Sequence, residues 1–328
     1  MRLALSFAAV LFLISCGSEG SKSKTPAPGS AAAAPPVAIE PAGPAAAETR
    51  VEMVNAKIRL DPSLILHIRR LSGKLVRTRE NQPPSFDDKL SYRIAIDSAE
   101  VAVDTASMNR LMNTYVFGEP DAPLKDLRLS IQDGQIKQEG TLRKGPGVPF
   151  EMVGEISATP DGKIRIHPKH MKAAHLPVKG LMKLFGVDMA KLINTRKTRG
   201  ISVDDNDLIL DEAIALPPPK IQGNITAVRI EGDQLVQTFG QAKSSTANKP
   251  SSSNFMAYRG GVLRFGKLTM TDTDMRLVDA DPSDPFDFSP DHYKDHLVAG
   301  YSKTTVSGGL VVYMPDYSKI SKKSLSPR

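Results

Sequence analysis

The 328-residue chain carries a formal net charge of +7, one cysteine and no tryptophan. A single cysteine excludes an internal disulfide framework, so the fold must rest on a packed core. The scarcity of aromatics argues against base stacking and a nucleic-acid partner. The sequence has no Gly-x-Ser-x-Gly elbow, P-loop or dinucleotide fingerprint, so it points to no catalytic class and no cofactor.

Behind Met1-Arg2 an apolar stretch runs from Leu3 to Ile14 and ends in Leu13-Ile14-Ser15-Cys16. A basic start, a short apolar region and a small residue before the cut form a secretory signal over 1–15. Its apolar region is too short to span a bilayer as a helix, which needs about twenty residues. Leu-Ile-Ser-Cys resembles the lipobox of bacterial lipoproteins. The resemblance implies that Cys16 becomes the first mature residue and carries diacylglycerol on its thiol. It also implies export and anchoring to a bacterial membrane. By resemblance to lipoproteins sorted on the residue after the cysteine, Gly17 rather than Asp implies the periplasmic side of the outer membrane if the host is Gram-negative. From Gly17 to about Thr49 the chain is Ala, Pro, Gly and Ser, with Val37 and Ile39 its only large aliphatics. Such a segment cannot bury enough apolar surface to fold. Residues 16–50 therefore read as an anchored, disordered tether, on the order of 100 Å when stretched.

Strands are expected from there on. Alternating apolar positions run through Leu64, Leu66 and Ile68, through Ile94 and Ile96, and through Val101 and Val103. They continue through Leu127, Leu129 and Ile131 and through Ile164 and Ile166. Asp133-Gly134 and Asp161-Gly162 are strong hairpin signals, with weaker ones at Asp205-Asn206 and Glu231-Gly232-Asp233. The pattern predicts a long antiparallel meander. A first helix opens at Asp104 or Thr105, places Met108, Leu111, Met112 and Tyr115 on one face, and stops at Gly118 and Pro120. A second begins at Pro177 with a stripe of Val178, Leu181, Met182, Phe185, Met189, Leu192 and Ile193. Between Lys163 and Arg199 ten Lys and Arg face one acid, Asp188. That segment is either a footprint for anionic partners or a solvated face balanced within the fold by the acidic segment from Asp272 to Asp295. The Ser/Lys-rich stretch 241–253 reads as a flexible loop.

After Asn254 strands return, as a C-terminal extension over 254–328 packed on the main domain of 51–240. Val262 to Leu268 reads as one buried strand and Leu310 to Met314 as the last. His292 and His296 stand four apart, but without the glutamate of a zinc-protease motif they read as an exposed polar turn rather than a metal site. The eight acids between Asp272 and Asp295 do not match an EF-hand loop. The fold class expected is α+β, β-dominated, with a curved antiparallel sheet wrapped on two helices.

From Ala99 to Gly240 the order is strand, short helix, hairpins, a Leu-Pro-opened helix, Leu216-Pro217-Pro218-Pro219 and a closing strand pair. With Val101-Ala102-Val103-Asp104, His175-Leu176-Pro177-Val178-Lys179-Gly180-Leu181 and Ile225 to Asp233, this resembles the LmeA-like phospholipid-binding family. It also resembles the wider group of tubular lipid-binding domains related to bactericidal permeability-increasing protein. About half the chain is covered, and the extension from Asn254 to Tyr317 departs from the pattern. The resemblance implies a sheet wrapped on a helix with acyl chains in the groove between them. Met108, Leu111, Met112, Leu181, Met182, Phe185 and Met189 would then line the groove, unless the stripes are plain core. Lys172, Lys179 and Lys183 would meet lipid head groups. The expected function is non-catalytic binding of lipid, anionic phospholipid above all, at the cell envelope. The alternative is an envelope structural or assembly protein that binds a protein partner through the same sheet.

Overall fold

The computed structural model describes residues 48–143, 147–173, 198–241 and 254–320, all within the compact unit Ala42–Arg328. Its backbone is three long antiparallel strands, β1 (Thr49–Asp61), β2 (Leu64–Arg77) and β3 (Tyr92–Asp104). Each alternates buried and more exposed positions, as a sheet with one packed face requires. Asp61 makes the tight link between β1 and β2: its Oδ1 accepts from the backbone N–H of Ser63 and Leu64. Its Oδ2 accepts from Arg110 Nε at 2.8 Å and Tyr115 Oη at 2.6 Å. Burial opposes the Asp61 charge, but the donations from Tyr115, Arg110 and Ser63 outweigh it and hold the carboxyl below the usual range. At Gly73 the backbones of β2 and β3 come so close that a Cβ would lie 2.3 Å from the Ala95 carbonyl oxygen, so only glycine fits.

The rest of the chain adds β4 (Leu124–Gln132), β5 (Gln135–Leu142), β6 (Val148–Ala158), β7 (Ile164–Ala173), β8 (Ile201–Asp204) and β9 (Asp207–Leu210). These six form a second sheet in the order β4-β5-β6-β7-β9-β8. Then come β10 (Lys220–Gln222), β11 (Ile225–Glu231) and β12 (Gln234–Phe239), followed by β13 (Phe255–Arg259), β14 (Leu263–Phe265) and β15 (Leu268–Met270). Last are β16 (Asp274–Asp279), β17 (Phe286–Phe288), β18 (Tyr301–Thr304) and β19 (Leu310–Met314). The large sheet runs β11-β12-β3-β2-β1-β13-β16-β19-β18, with β10 on β3 and β17 on β1. The fold is thus α+β and β-dominated, a large curved antiparallel sheet with a few short helices. All four expected turns join neighbouring strands, and Asp133 and Gly134 both have positive φ (50° and 71°), the geometry of a tight two-residue hairpin.

Two expectations are corrected. The meander is interrupted by three parallel pairings, β10 with β3, β17 with β1 and β16 with β19. Alternation reads a strand's two faces but not its neighbour, so these pairings leave no mark in the sequence. The stretch from Val262 to Leu268 is not one strand. Gly266 turns it at φ 61° into the β14–β15 hairpin, which buries Leu263 and Phe265 and leaves Leu268 exposed.

The C-terminal strands continue the main sheet. β1 pairs with β13 through Arg50–Val54, takes a left-handed step at Asn55 (φ 48°), and pairs with β17 from Ala56 to Ile58. The Asn55 side chain bridges the change: its Oδ1 lies 3.0 Å from His67 Nε2 and its Nδ2 donates to Asn254 Oδ1 at 2.8 Å. Asn254 in turn donates to Asp279. Arg59 clamps Asp287 of β17 with two bonds of 2.6 and 2.7 Å.

The first helix, α1 (Thr105–Arg110), starts where expected. Asp104 caps it, accepting from the Ser107 N–H at 2.7 Å, and from Leu111 to Val116 the chain widens into a π-helical turn. The side chains of Asn109 and Asn113 each make a two-bond contact with β4, the edge of the second sheet, at Leu129 and Leu127. The helix thereby takes the place of a neighbouring strand and covers the edge. α2 (Glu212–Ala215) is a single turn after β9, and α3 (Tyr293–Ala299) lies near the C-terminus. The expected second helix, with Leu181, Met182, Phe185, Met189, Lys179 and Lys183, lies outside the described residues. So do the signal, Cys16 and almost all of the tether.

Candidate functional site: an apolar slot between the sheets

The two large sheets share one core, and a slot remains open within it. The main sheet contributes Leu64 and Leu66 from β2, Val103 from β3 and Leu235 from β12. Opposite them stand Leu129, Ile136, Ile156, Ile164, Ile166 and Leu210 from the second sheet. Met108, Leu111 and Met112 close one side, two of them from the π-helical turn. The space among its lining atoms is about 570 Å³, counting what opens to solvent, and most of it is too tight for a water molecule. The slot is therefore narrow. A second crevice of about 290 Å³ adjoins it, shares Leu66, Glu212, Leu216 and Gln237, and extends past Ile68 and Leu71. From Leu64 to Leu71 is about 24 Å of strand.

One polar pair interrupts this lining. In β12 the inward positions are Leu235, Gln237 and Phe239, so Gln237 occupies a place where the alternation calls for an aliphatic residue. Gln237 is 1 % exposed; its Nε2 donates to Glu212 Oε1 at 2.6 Å, and its buried Oε1 has no partner among the described residues. Glu212 reaches the slot because β9 ends at Leu210 and Asp211 turns the chain into α2, accepting from the Ile214 N–H. Burial pushes the Glu212 carboxyl up to about 7; the bond from Gln237 opposes this and the nearby Asp211 charge adds to it. At the other end of α2, Arg199 and Lys220 donate to the carbonyls of Ile214 and Leu216. Burial and the neighbouring Arg199 push Lys220 down to about 8.

The Glu212 shift has a measurable consequence. A carboxyl raised from 4.5 to about 7 in the fold binds a proton there that the unfolded chain has released. Its stabilising contribution is full below about pH 4.5 and is lost as the pH rises through 7, a change of roughly 3 kcal/mol. Glu212→Gln should therefore be more stable than the wild type at pH 8 and close to it at pH 4.5, as read from urea unfolding at the two pH values. Equal midpoints at pH 8 would place the carboxyl in water.

Of the residues named in advance, Met108, Leu111 and Met112 line the slot. Lys172 does not. It is exposed on β7, 3.6 Å from Glu151, and four other basic groups of its strand region have acids beside them: Lys163 with Asp161, Arg165 and His167 with Asp207, Lys169 with Glu155. The described part of the basic segment is thus balanced by acids of the second sheet and of its β6–β7 turn, not by the acids of 272–295. Glu212 and Gln237 went unseen in the sequence. The signal for Gln237 was its inward register between Leu235 and Phe239; for Glu212 there was none.

The histidine pair is also corrected. It lies in the 3-10 turn before α3 and in α3 itself rather than in an exposed turn, and His296 is fully buried: its Nε2 accepts from the Ser289 N–H and its Nδ1 lies 2.9 Å from the Pro315 oxygen. Among the described residues no cluster of His, Cys, Asp and Glu is placed to hold a metal ion, and no helix is long and apolar enough to cross a membrane. Comparison with protein-family models, with curated proteins and with solved structures gives no match to the chain.

Proposed function

We propose that the protein is a non-catalytic lipid-binding lipoprotein of the bacterial envelope, which holds the apolar part of a lipid or similar amphiphile between its two sheets. The observation that carries this reading is the slot itself, lined by Leu, Ile, Val and Met with a single polar pair. Long apolar clefts with few polar groups are the usual form of such sites, and Met adapts to irregular chains. The order of elements from Ala99 to Gly240 supports it through the likeness to LmeA-like domains, and the lipobox supports a membrane address. A second reading, a protein partner added at the sheet edge, is supported by β18, whose four residues are all exposed at the end of the main sheet.

Leu66 borders both parts of the slot, so Leu66→Trp tests the first reading. If the space takes a ligand, the added bulk should abolish displacement of a bound fluorescent lipid while the melting temperature changes little. If the space is ordinary core, the variant should lose about 1 to 3 kcal/mol through overpacking. Normal lipid exchange by that variant would count against the slot. The address is tested separately. Cys16→Ser should move the protein from the membrane to the soluble fraction, and retention in membranes at high salt would contradict the anchor.

A further inference from the structure

Within the lipid-binding reading, on which this inference rests, we infer that the slot selects a neutral amphiphile bearing a hydroxyl group, through the Glu212–Gln237 pair. The pair is the only polar feature among the described residues lining the slot. Gln237 spends its Nε2 on Glu212 and keeps a buried Oε1 without a partner. An amide oxygen left unpaired in an apolar space costs free energy, which a donor carried by the ligand would recover.

The chemistry narrows the donor. If the Gln237 amide is turned round, its oxygen faces the Glu212 carboxyl and its NH₂ becomes the unpaired group. A hydroxyl both donates and accepts, so it satisfies either arrangement. A phosphate or carboxylate brings a negative charge next to the Glu212 carboxyl, which already feels the charge of nearby Asp211. An alkane or a methyl ester brings no donor. The class that fits is an acyl or alkyl chain ending in a neutral hydroxyl. A long-chain alcohol and a monoacylglycerol both supply it.

Replacing both members of a hydrogen-bonded pair by apolar residues can be close to neutral, whereas Gln237→Leu alone leaves the Glu212 carboxyl unpaired, so Glu212→Leu/Gln237→Leu carries the test and the single variant is its control. The probe set is 1-dodecanol against its methyl ether, and monododecanoylglycerol against methyl dodecanoate, with dodecyl phosphate as the charged member. Each is measured as displacement of a fluorescent lipid from the purified full-length chain. The wild type should bind each hydroxyl compound about tenfold more tightly than its hydroxyl-free match, the scale of one satisfied buried hydrogen bond. Dodecyl phosphate should be the weakest. In both variants the preference should fall to within about twofold. A preference for dodecanol alone would assign the group to a long-chain alcohol, and one for the glyceride alone to an acylglycerol; either supports the inference. Equal binding within each pair by the wild type would overturn the inference and leave the lipid-binding reading standing. So would a preference that survives in the double variant, or tighter binding of dodecyl phosphate. Failure of every compound, together with failure of the fluorescent lipid itself, would overturn both.

Discussion

Replacing Asn109 and Asn113 together by alanine should cost the fold about 3 to 4 kcal/mol, although neither side chain lies in the apolar core. Asn109 donates to the Leu129 oxygen at 2.9 Å and accepts from the Leu129 N–H at 2.7 Å. Asn113 does the same with Leu127, at 2.8 and 2.9 Å. Spaced four apart, the two amides stand on one helical face and mimic two rungs of a ladder. Removing them leaves four backbone groups of β4 without partners beside the buried side chains of Leu127 and Leu129. An unmade buried bond costs about 1 to 3 kcal/mol. Asn113 is exposed enough for water to replace part of the loss, which keeps the total below a simple sum. Thermal or urea unfolding of the double variant measures it. A loss under about 1 kcal/mol would mean that the edge of the second sheet is satisfied without the helix.

His296 should make the fold acid-sensitive. Burial among Phe286, Phe288 and Tyr317 pushes its pKa down to about 4, against the opposing effects of the Pro315 carbonyl and the Asp287 charge; His292 and Asp295 face it as well. The two ring bonds fix a neutral imidazole with its proton on Nδ1, because Nε2 must accept from Ser289. Between about pH 6.5 and 4 the unfolded chain takes up a proton that the fold refuses. The contribution of this residue is therefore full above about 6.5 and is lost as the pH falls, by roughly 3 kcal/mol. His296→Leu should be less stable than the wild type at pH 7.5 by a similar amount, since the Ser289 N–H and the Pro315 oxygen lose their partner. The gap should narrow by pH 4.5. A gap that stays constant across that range would show that His296 does not set the acid limit.

The strands were legible where burial alternates along one face, as at Leu64, Leu66 and Ile68 or Ile164 and Ile166. The hairpins were legible from Asp-Gly: Asp133 and Gly134 both take the left-handed conformation, and at Asp161-Gly162 the glycine does. The start of α1 was legible from Asp104. What stayed hidden depends on partners distant in sequence. Nothing in Ala56 to Ile58 announces a parallel neighbour 230 residues on, and nothing in Asn109 or Asn113 announces a strand edge. The slot was half legible. Met108, Leu111 and Met112 stood out as a helical stripe, but its β walls were read only as core, because a slot and a core have the same alternation. Glu212 follows an ordinary turn residue, and its place in the slot comes from where β9 ends.

On the proposed function, the space between the sheets carries a lipid. Mass spectrometry of organic extracts, made from protein purified without harsh detergent, tests it most directly when the wild type and Leu66→Trp are compared. Close to one acyl-chain amphiphile per wild-type chain is expected, with a marked loss of it in the variant, beyond any lipid attached to Cys16. Wild-type protein that yields no non-covalent lipid, and takes none up when lipid is offered, would contradict it.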